Sequence, residues 1–400
     1  MVSGGGAGNQ LPRFRRYRRS NMTYTYSATQ NNGRIVSSAD GVTGENVSYT
    51  YDSLNRLIAA ATSVTTRVQW GDSYSYDGFG NLTSKVVTKG TAPQVYPQVN
   101  SATNQARMSG DYGFDANGNW LGSGGNQINT WNVENQLIST GGSPSNGAPT
   151  YTYDPWGKRV LQYSDARTYG AGGTLYFYSI TGQRLGTYQV SYLCSNDPPL
   201  QQSVSMYFGR RMLAPVDRLG SVRSNANGHG PIAYYPWGEE RTSTPDGTDK
   251  FATYFRDVSP GNGVGQDYAN ARYYNNNFGR FWSPDPAGMT SVDARNPISW
   301  NGYTYVWADP INAADPTGRC VIANCLAFQA KQRDQSGAPE GSQEREIDDD
   351  DECRNQRHDG YCCGTGRDGG AGEGQLEAGG QAEEERAQEP EKGDRRLVMR

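Results

Sequence analysis

The sequence predicts a mainly β chain of antiparallel hairpins, and three observations predict it. Glycine makes up 51 of the 400 residues, nearly twice the usual ~7%. The aromatic residues are dominated by tyrosine, with 27 Tyr against 10 Phe and 8 Trp. Short alternating runs such as Val47-Ser48-Tyr49-Thr50-Tyr51 and Tyr151-Thr152-Tyr153 carry the period of two of a half-buried strand. Aromatic and β-branched residues between glycine-rich turns are the composition of many short strands. The hydrophobic fraction is only 34% and the mean hydropathy is -0.80. No apolar run reaches the ~18 residues of a membrane helix, so no membrane span is expected. Glycine has no three-residue period, which excludes collagen.

The chain begins with a glycine-rich stretch and five arginines, Arg13, Arg15, Arg16, Arg18 and Arg19. No apolar stretch follows them, so residues 1–22 read as a disordered basic arm and not as a secretory signal. Five clustered arginines attract anions, but no specific nucleic-acid partner is expected.

Residues 23–205 carry an internal repeat. Its copies are YDSLNRL (51–57), YDGFGNL (76–82), FDANGNW (114–120), WNVENQL (131–137), YDPWGKRV (153–160) and YSITGQRL (178–185). The last is read as one residue longer than the others. Each copy has an aromatic, usually Asp, then Gly or Asn near the middle, then a polar residue and Leu or an equivalent. The Asp side chain can accept from the amides of a turn. Gly80, Gly118, Gly157, Gly182, Asn55 and Asn135 can take the positive φ of a tight hairpin. Leu57, Leu82 and Leu137 then enter the next strand facing the aromatic. One hairpin cannot bury its face alone, so the units must stack. Recurrence also argues against catalysis by the Tyr-Asp pairs, because an architectural device repeats and an active site does not.

Residues 206–318 hold denser motifs. They include Asp217-Arg218-Leu219-Gly220-Ser221-Val222-Arg223, YYPWGEER (234–241), FATYFRD (251–257), GQDYANARYYNNNFGRFWSPDP (265–286) and NPISWNGYTYVWADPINAADPTG (296–318). Together with the repeats, these residues resemble the RHS/YD-repeat family, which includes bacterial RHS proteins and the YD shell of teneurins. The resemblance spans about 24–318, and 206–318 resembles the RHS repeat-associated core. It implies antiparallel YD-repeat hairpins wound as a partial spiral β-shell, capped by that core. The partners it implies are an enclosed C-terminal effector or further shell segments, and cell-surface glycans or proteins. It also implies a secreted or cell-surface location, although no export signal is visible in the chain.

Some members of that family resemble aspartic autoproteases that release the C-terminal segment after the core. Two carboxylates must then approach each other to activate water. The positions matching the family motif are Asp285 and Asp315, with Asp309 an additional carboxylate nearby. Arg272 and Arg280 are candidates for positive charge at a developing oxyanion. The sequence departs from the pattern at Arg319, where the family usually carries Leu, and at Pro284, where active members often carry Arg. The expected cut would lie between Gly318 and Arg319. The plainer reading of the Asp-Pro pairs is that they start turns. Trp120, Trp131 and Trp156 are the candidates for stacking on sugars, with core packing as their alternative.

Other chemistry is thin. The chain has only two histidines, His229 and His358, and Ser221 does not sit in a nucleophile elbow. No P-loop, dinucleotide fingerprint or HExxH is present, so no cofactor is expected. Cys353, His358, Cys362 and Cys363 lack a CxxC pair, so no metal is expected.

Residues 319–400 change character. From Cys320 onward there are 19 acidic and 11 basic side chains, against 22 and 26 before it. Phe328 and Tyr361 are the only aromatics there. The composition reads as an acidic, disordered tail or a degenerate variable C-terminal region.

Overall fold

In the computed structural model the described residues run from Asn21 to Arg319, apart from 64–67, 108–109, 111–112, 123–127, 142–147, 165–171, 191–197, 210, 225–230 and 259–265. The arginine cluster, Cys194, His229 and the whole region from Cys320 lie outside the described residues. What is described is mainly β and antiparallel, with short 3-10 turns and no α-helix.

Six strands form a first sheet in chain order: β1 (Met22–Tyr26), β2 (Ile35–Asp40), β3 (Glu45–Tyr51), β4 (Leu57–Thr62), β5 (Trp70–Tyr76) and β6 (Leu82–Gly90). Two short pairs follow, β7 (Gln98–Asn100) with β8 (Gln105–Arg107) and β9 (Gly113–Phe114) with β10 (Trp120–Gly122). A second sheet has seven strands, again in chain order. They are β11 (Thr130–Trp131), β12 (Leu137–Ser139), β13 (Thr150–Tyr153), β14 (Arg159–Ser164), β15 (Gly172–Tyr178), β16 (Arg184–Val190) and β17 (Leu200–Val204). After the hairpin β18 (Tyr207–Phe208) and β19 (Arg211–Met212) comes a third sheet. It comprises β20 (Thr248–Asp249), β21 (Phe255–Arg256), β22 (Gln266–Tyr268), β23 (Tyr273–Asn275) and β24 (Arg280–Phe281). None of these sheets closes into a barrel.

Each repeat unit is the turn between two strands, built as its residues require. Asp52 Oδ1 accepts from the amides of Leu54 and Arg56, each at 2.9 Å. Asp77 holds Phe79 and Asn81 in the same way, Asp115 holds Asn117 and Asn119, and Asp154 holds Trp156 and Lys158. Asn132 substitutes for Asp in the fourth unit, holding Glu134 and Gln136. The six Gly and Asn residues expected at positive φ all adopt it. The tyrosines do more than stack. Tyr51, Tyr76, Tyr153 and Tyr178 donate their hydroxyls to the carbonyls of Ile35, Leu57, Leu137 and Arg159, tying each hairpin to the one before it.

The turns also join to each other along one end of the sheets. Arg56 reaches the carbonyl of Asp77 at 2.8 Å. Asn81 Nδ2 donates to Asn104 at 2.9 Å, and Asn119 Nδ2 to Asn135 at 2.8 Å. Gln183 Nε2 donates to the carbonyl of Gly209 at 2.8 Å.

The register corrects one reading of the repeat. Tyr51 pairs with Leu57, Tyr76 with Leu82, Phe114 with Trp120 and Trp131 with Leu137. By the same count Tyr153 pairs with Arg159 and Tyr178 with Arg184. The last two units are therefore the same length as the others. Arginine, and not Val160 or Leu185, stands at the leucine position. Leu185 is exposed on the opposite face.

A buried arginine needs remote partners, and the third sheet supplies them. Arg159 pairs with Asp257 at 2.7 Å, and Arg184 pairs with Asp249. The third sheet lies against both larger ones, which explains its aromatic doublets. Tyr254, Tyr274 and Phe281 pack with Leu57, Trp70, Tyr74 and Leu82 of the first sheet. Their chain neighbours Phe255, Tyr273 and Trp282 pack with Trp120, Leu137, Tyr151 and Tyr176. Successive side chains on a strand point to opposite faces, so a doublet feeds two cores. Each large apolar side chain so buried contributes about 1.5–3 kcal/mol.

Candidate functional site

The last described residues are held by the tight connection between β22 and β23. Asn270 takes a positive φ there. Its Nδ2 donates to the carbonyl of Pro316 at 2.9 Å. The Ala271 amide donates to the carbonyl of Thr317 at 3.1 Å. Gly318 has a φ of +66°, and a Cβ there would stand 2.5 Å from the Ala269 carbonyl oxygen. Only glycine fits that approach.

Arg272 then gathers the site. Its guanidinium stacks on the Phe281 ring, 3.5 Å from the centroid. Nε donates to the Gly318 carbonyl, and Nη1 to the Gly302 carbonyl at 2.9 Å. Nη2 stands 3.2 Å from Asp315 Oδ2 and 3.6 Å from Asp285 Oδ2. The two aspartates named from the sequence are thus brought to one nitrogen atom. Their oxygens are no further apart than the sum of those two distances. They are bridged by a cation.

Both aspartates are also turn formers of the repeat's kind. Asp315 Oδ1 accepts from the amides of Thr317 at 3.3 Å and Arg319 at 3.2 Å. These are the same offsets that Asp52 and Asp77 use. Asp285 Oδ1 accepts from Ala287 at 2.8 Å. Asp315 and Arg272 are buried and Asp285 is partly exposed. Sequence reasoning missed Tyr254, whose hydroxyl donates to the Asp315 carbonyl from inside the core. Its only signal was its place in the FATYFRD run.

The other candidates lie elsewhere. Arg280 stacks on Tyr303 and reaches Asn81 and the Asn104 carbonyl. It braces the turns that carry Asn81 and Asn104. Burial brings its pKa down to about 10. Asp309 pairs with Arg34 at 2.9 Å and holds Asn312; burial raises its pKa. Ser221 Oγ accepts from the Ala252 amide. Trp120 is buried against Trp282, with ring centroids 4.8 Å apart, and Trp131 donates to the Trp120 carbonyl. Only Trp156 of the three is exposed, so they form no shared surface for a sugar. No metal-binding group of three or more His, Cys, Asp or Glu occurs among the described residues. No helix among them is long and apolar enough to cross a membrane.

No protein-family model matches the chain, and no curated protein matches it. Solved structures do. A crystal structure of TcdB2-TccC3-Cdc42, and one of TcdB2-TccC3 without the hypervariable C-terminal region, each superpose with a TM-score of 0.54 at 20% identity. A Tc holotoxin pore of Photorhabdus luminescens matches with the same score at 19% identity. Each match covers 75% of this chain and 17% of the other. The likeness is one of fold, and this chain spans about a sixth of the length of those chains.

Proposed function

We propose that this chain is a wall segment of an RHS-type β-shell, with residues 206–318 as the module that joins the wall and holds the chain where it leaves. The observation that carries this reading is the third sheet, whose aromatic doublets enter the cores of both larger sheets. The fold likeness to TcdB2-TccC3 chains supports it. The partner this reading implies is the region after Gly318, or further shell segments extending the sheets. Such a protein acts outside the cell that makes it. The experiment is equilibrium unfolding read separately in each sheet. One shared transition supports a continuous wall; two separate ones contradict it.

A second reading rests on a specific observation: Arg272 donates to the Gly318 carbonyl while holding Asp285 and Asp315. That donor polarises the carbonyl of the Gly318–Arg319 bond and would stabilise the oxyanion formed on attack. A carboxylate beside it can take the proton of the attacking water. In this reading Asp285, the more accessible of the two, is the base that takes the water's proton and returns it to the Arg319 nitrogen as the C–N bond breaks, and Asp315 orients the Arg319 amide. Hydrolysis would give a new carboxylate at Gly318 and a free amine at Arg319. The mass of the purified chain tests it.

A further inference from the structure

The turns of the second sheet carry a row of exposed apolar side chains that packing within the sheet does not explain. Val133, Trp156 and Ile180 sit at the tips of successive repeat turns, and Phe208 at the next hairpin, all at least four-fifths exposed. The turns that bear them are neighbours. A Cβ on Gly157 would stand 3.2 Å from Gln136, and one on Gly182 would stand 3.4 Å from Lys158. Gln183 reaches the Gly209 carbonyl. Successive tips are two strands apart, about 9.5 Å. The tips at Val133, Trp156 and Ile180 therefore form a ridge that spans about 19 Å, and Phe208, on the separate hairpin β18–β19, adjoins the Ile180 turn through the Gln183–Gly209 contact. An apolar row of this kind marks a contact surface.

The side chain of Arg319, the last described residue, reaches this ridge. Arg319 Nη2 lies 4.0 Å from where a Gly157 Cβ would be. Lys158, next to Gly157, feels the Arg319 charge. Two residues on, the sequence reads Val321-Ile322-Ala323-Asn324-Cys325-Leu326-Ala327-Phe328. This is an uncharged apolar run at the start of an otherwise acidic region. Eight extended residues reach about 26 Å, well beyond the ~9.5 Å between the Trp156 and Ile180 tips. Tethering at Arg319 gives the run a high effective concentration there.

We propose that residues 321–328 dock along the Trp156–Ile180–Phe208 ridge. The proposal concerns the uncut chain, in which the Gly318–Arg319 bond tethers the run. The test uses the native thiol of Cys325 in the full chain, with Cys194, Cys320, Cys353, Cys362 and Cys363 replaced by Ser. A second thiol is introduced by Trp156→Cys, Ile180→Cys or Leu54→Cys. Leu54 is an exposed turn tip of the first sheet, and serves as the control. Disulfide formation under mild oxidation is followed by non-reducing electrophoresis and peptide mass mapping. Docking predicts intramolecular bonds to Cys325 at 156 and 180 forming at least ten times faster than at 54. Equal rates at all three positions, or no bond at 156 and 180, would overturn it. Bonds between chains at 156 or 180 would also overturn it, and would make the ridge a contact between copies. If the chain is cut after Gly318, the same rates are measured with Asp285→Asn added, which keeps the chain whole.

Discussion

Arg159 places both terminal nitrogens on the two oxygens of Asp257, each at 2.7 Å. Its side chain is wholly buried, with Tyr151, Tyr176 and Tyr268 rings around the guanidinium. This pair links the second sheet to the third at a position where four other repeats carry an apolar residue. Removing one partner leaves an uncompensated buried charge. Asp257→Leu should therefore cost about 3–5 kcal/mol, and so should Arg159→Leu. The double variant should recover a large part of either loss, because it restores an apolar contact. Denaturant unfolding of the four proteins measures the cycle.

The repeat YDGFGNL offers two glycines with opposite expectations. Gly78 has open space at its Cβ position, so Gly78→Ala should be neutral or stabilising by up to about 1 kcal/mol. Gly80 has a φ of +73°, and a Cβ there would come 2.9 Å from Ile298. Gly80→Ala should cost about 1–2 kcal/mol from backbone strain alone. The unfolding midpoints of the two variants check this contrast.

Stability should fall as pH rises through weakly acidic values. Asp72 is buried beside Glu239, Lys85 and Tyr74, with Tyr235 near. Desolvation pushes its carboxyl up to about 7, with Lys85 opposing and Glu239 adding. Burial raises Glu239 as well. A carboxyl with a raised folded value keeps its proton where the unfolded chain has lost it. Its contribution is full below about pH 4 and is lost as pH approaches 7. Asp72→Asn should flatten the difference in unfolding free energy between pH 5 and pH 8. An unchanged difference would assign the pH dependence to other groups.

If Arg272 and its two aspartates cut the chain, the purified protein should contain a fragment ending at Gly318. Asp285→Asn and Arg272→Met should each leave the chain intact. Intact-mass measurement of freshly purified protein and both variants decides this. A full-length native chain leaves Arg272 as a clamp only.

Much of this was legible in the sequence because the repeat is local. The Asp-to-amide contacts and the positive φ at Gly80 and Asn135 involve residues only a few positions apart, so spacing was sufficient. Arg159 and Arg184 are not legible as core positions because their partners lie in a distant segment. A search for the next aliphatic residue finds Val160 and Leu185 instead. The meeting of Asp285 and Asp315 was expected from resemblance alone, since no local pattern joins residues so far apart. Arg280 is expected at the same site, but its neighbours Asn81 and Asn104 belong to turns 199 and 176 residues earlier. The double use of Tyr273 and Tyr274, one for each core, follows from strand alternation. It becomes visible only when both larger sheets are in place.

The wall itself is tested most directly by pulsed hydrogen exchange along a denaturant series, read by mass spectrometry. The peptides to compare cover β3–β5, β13–β16 and β22–β24. If the third sheet binds both larger sheets into one wall, all three sets lose protection at one midpoint. If β3–β5 and β13–β16 lose it at separate midpoints, they are independent domains and the account is wrong.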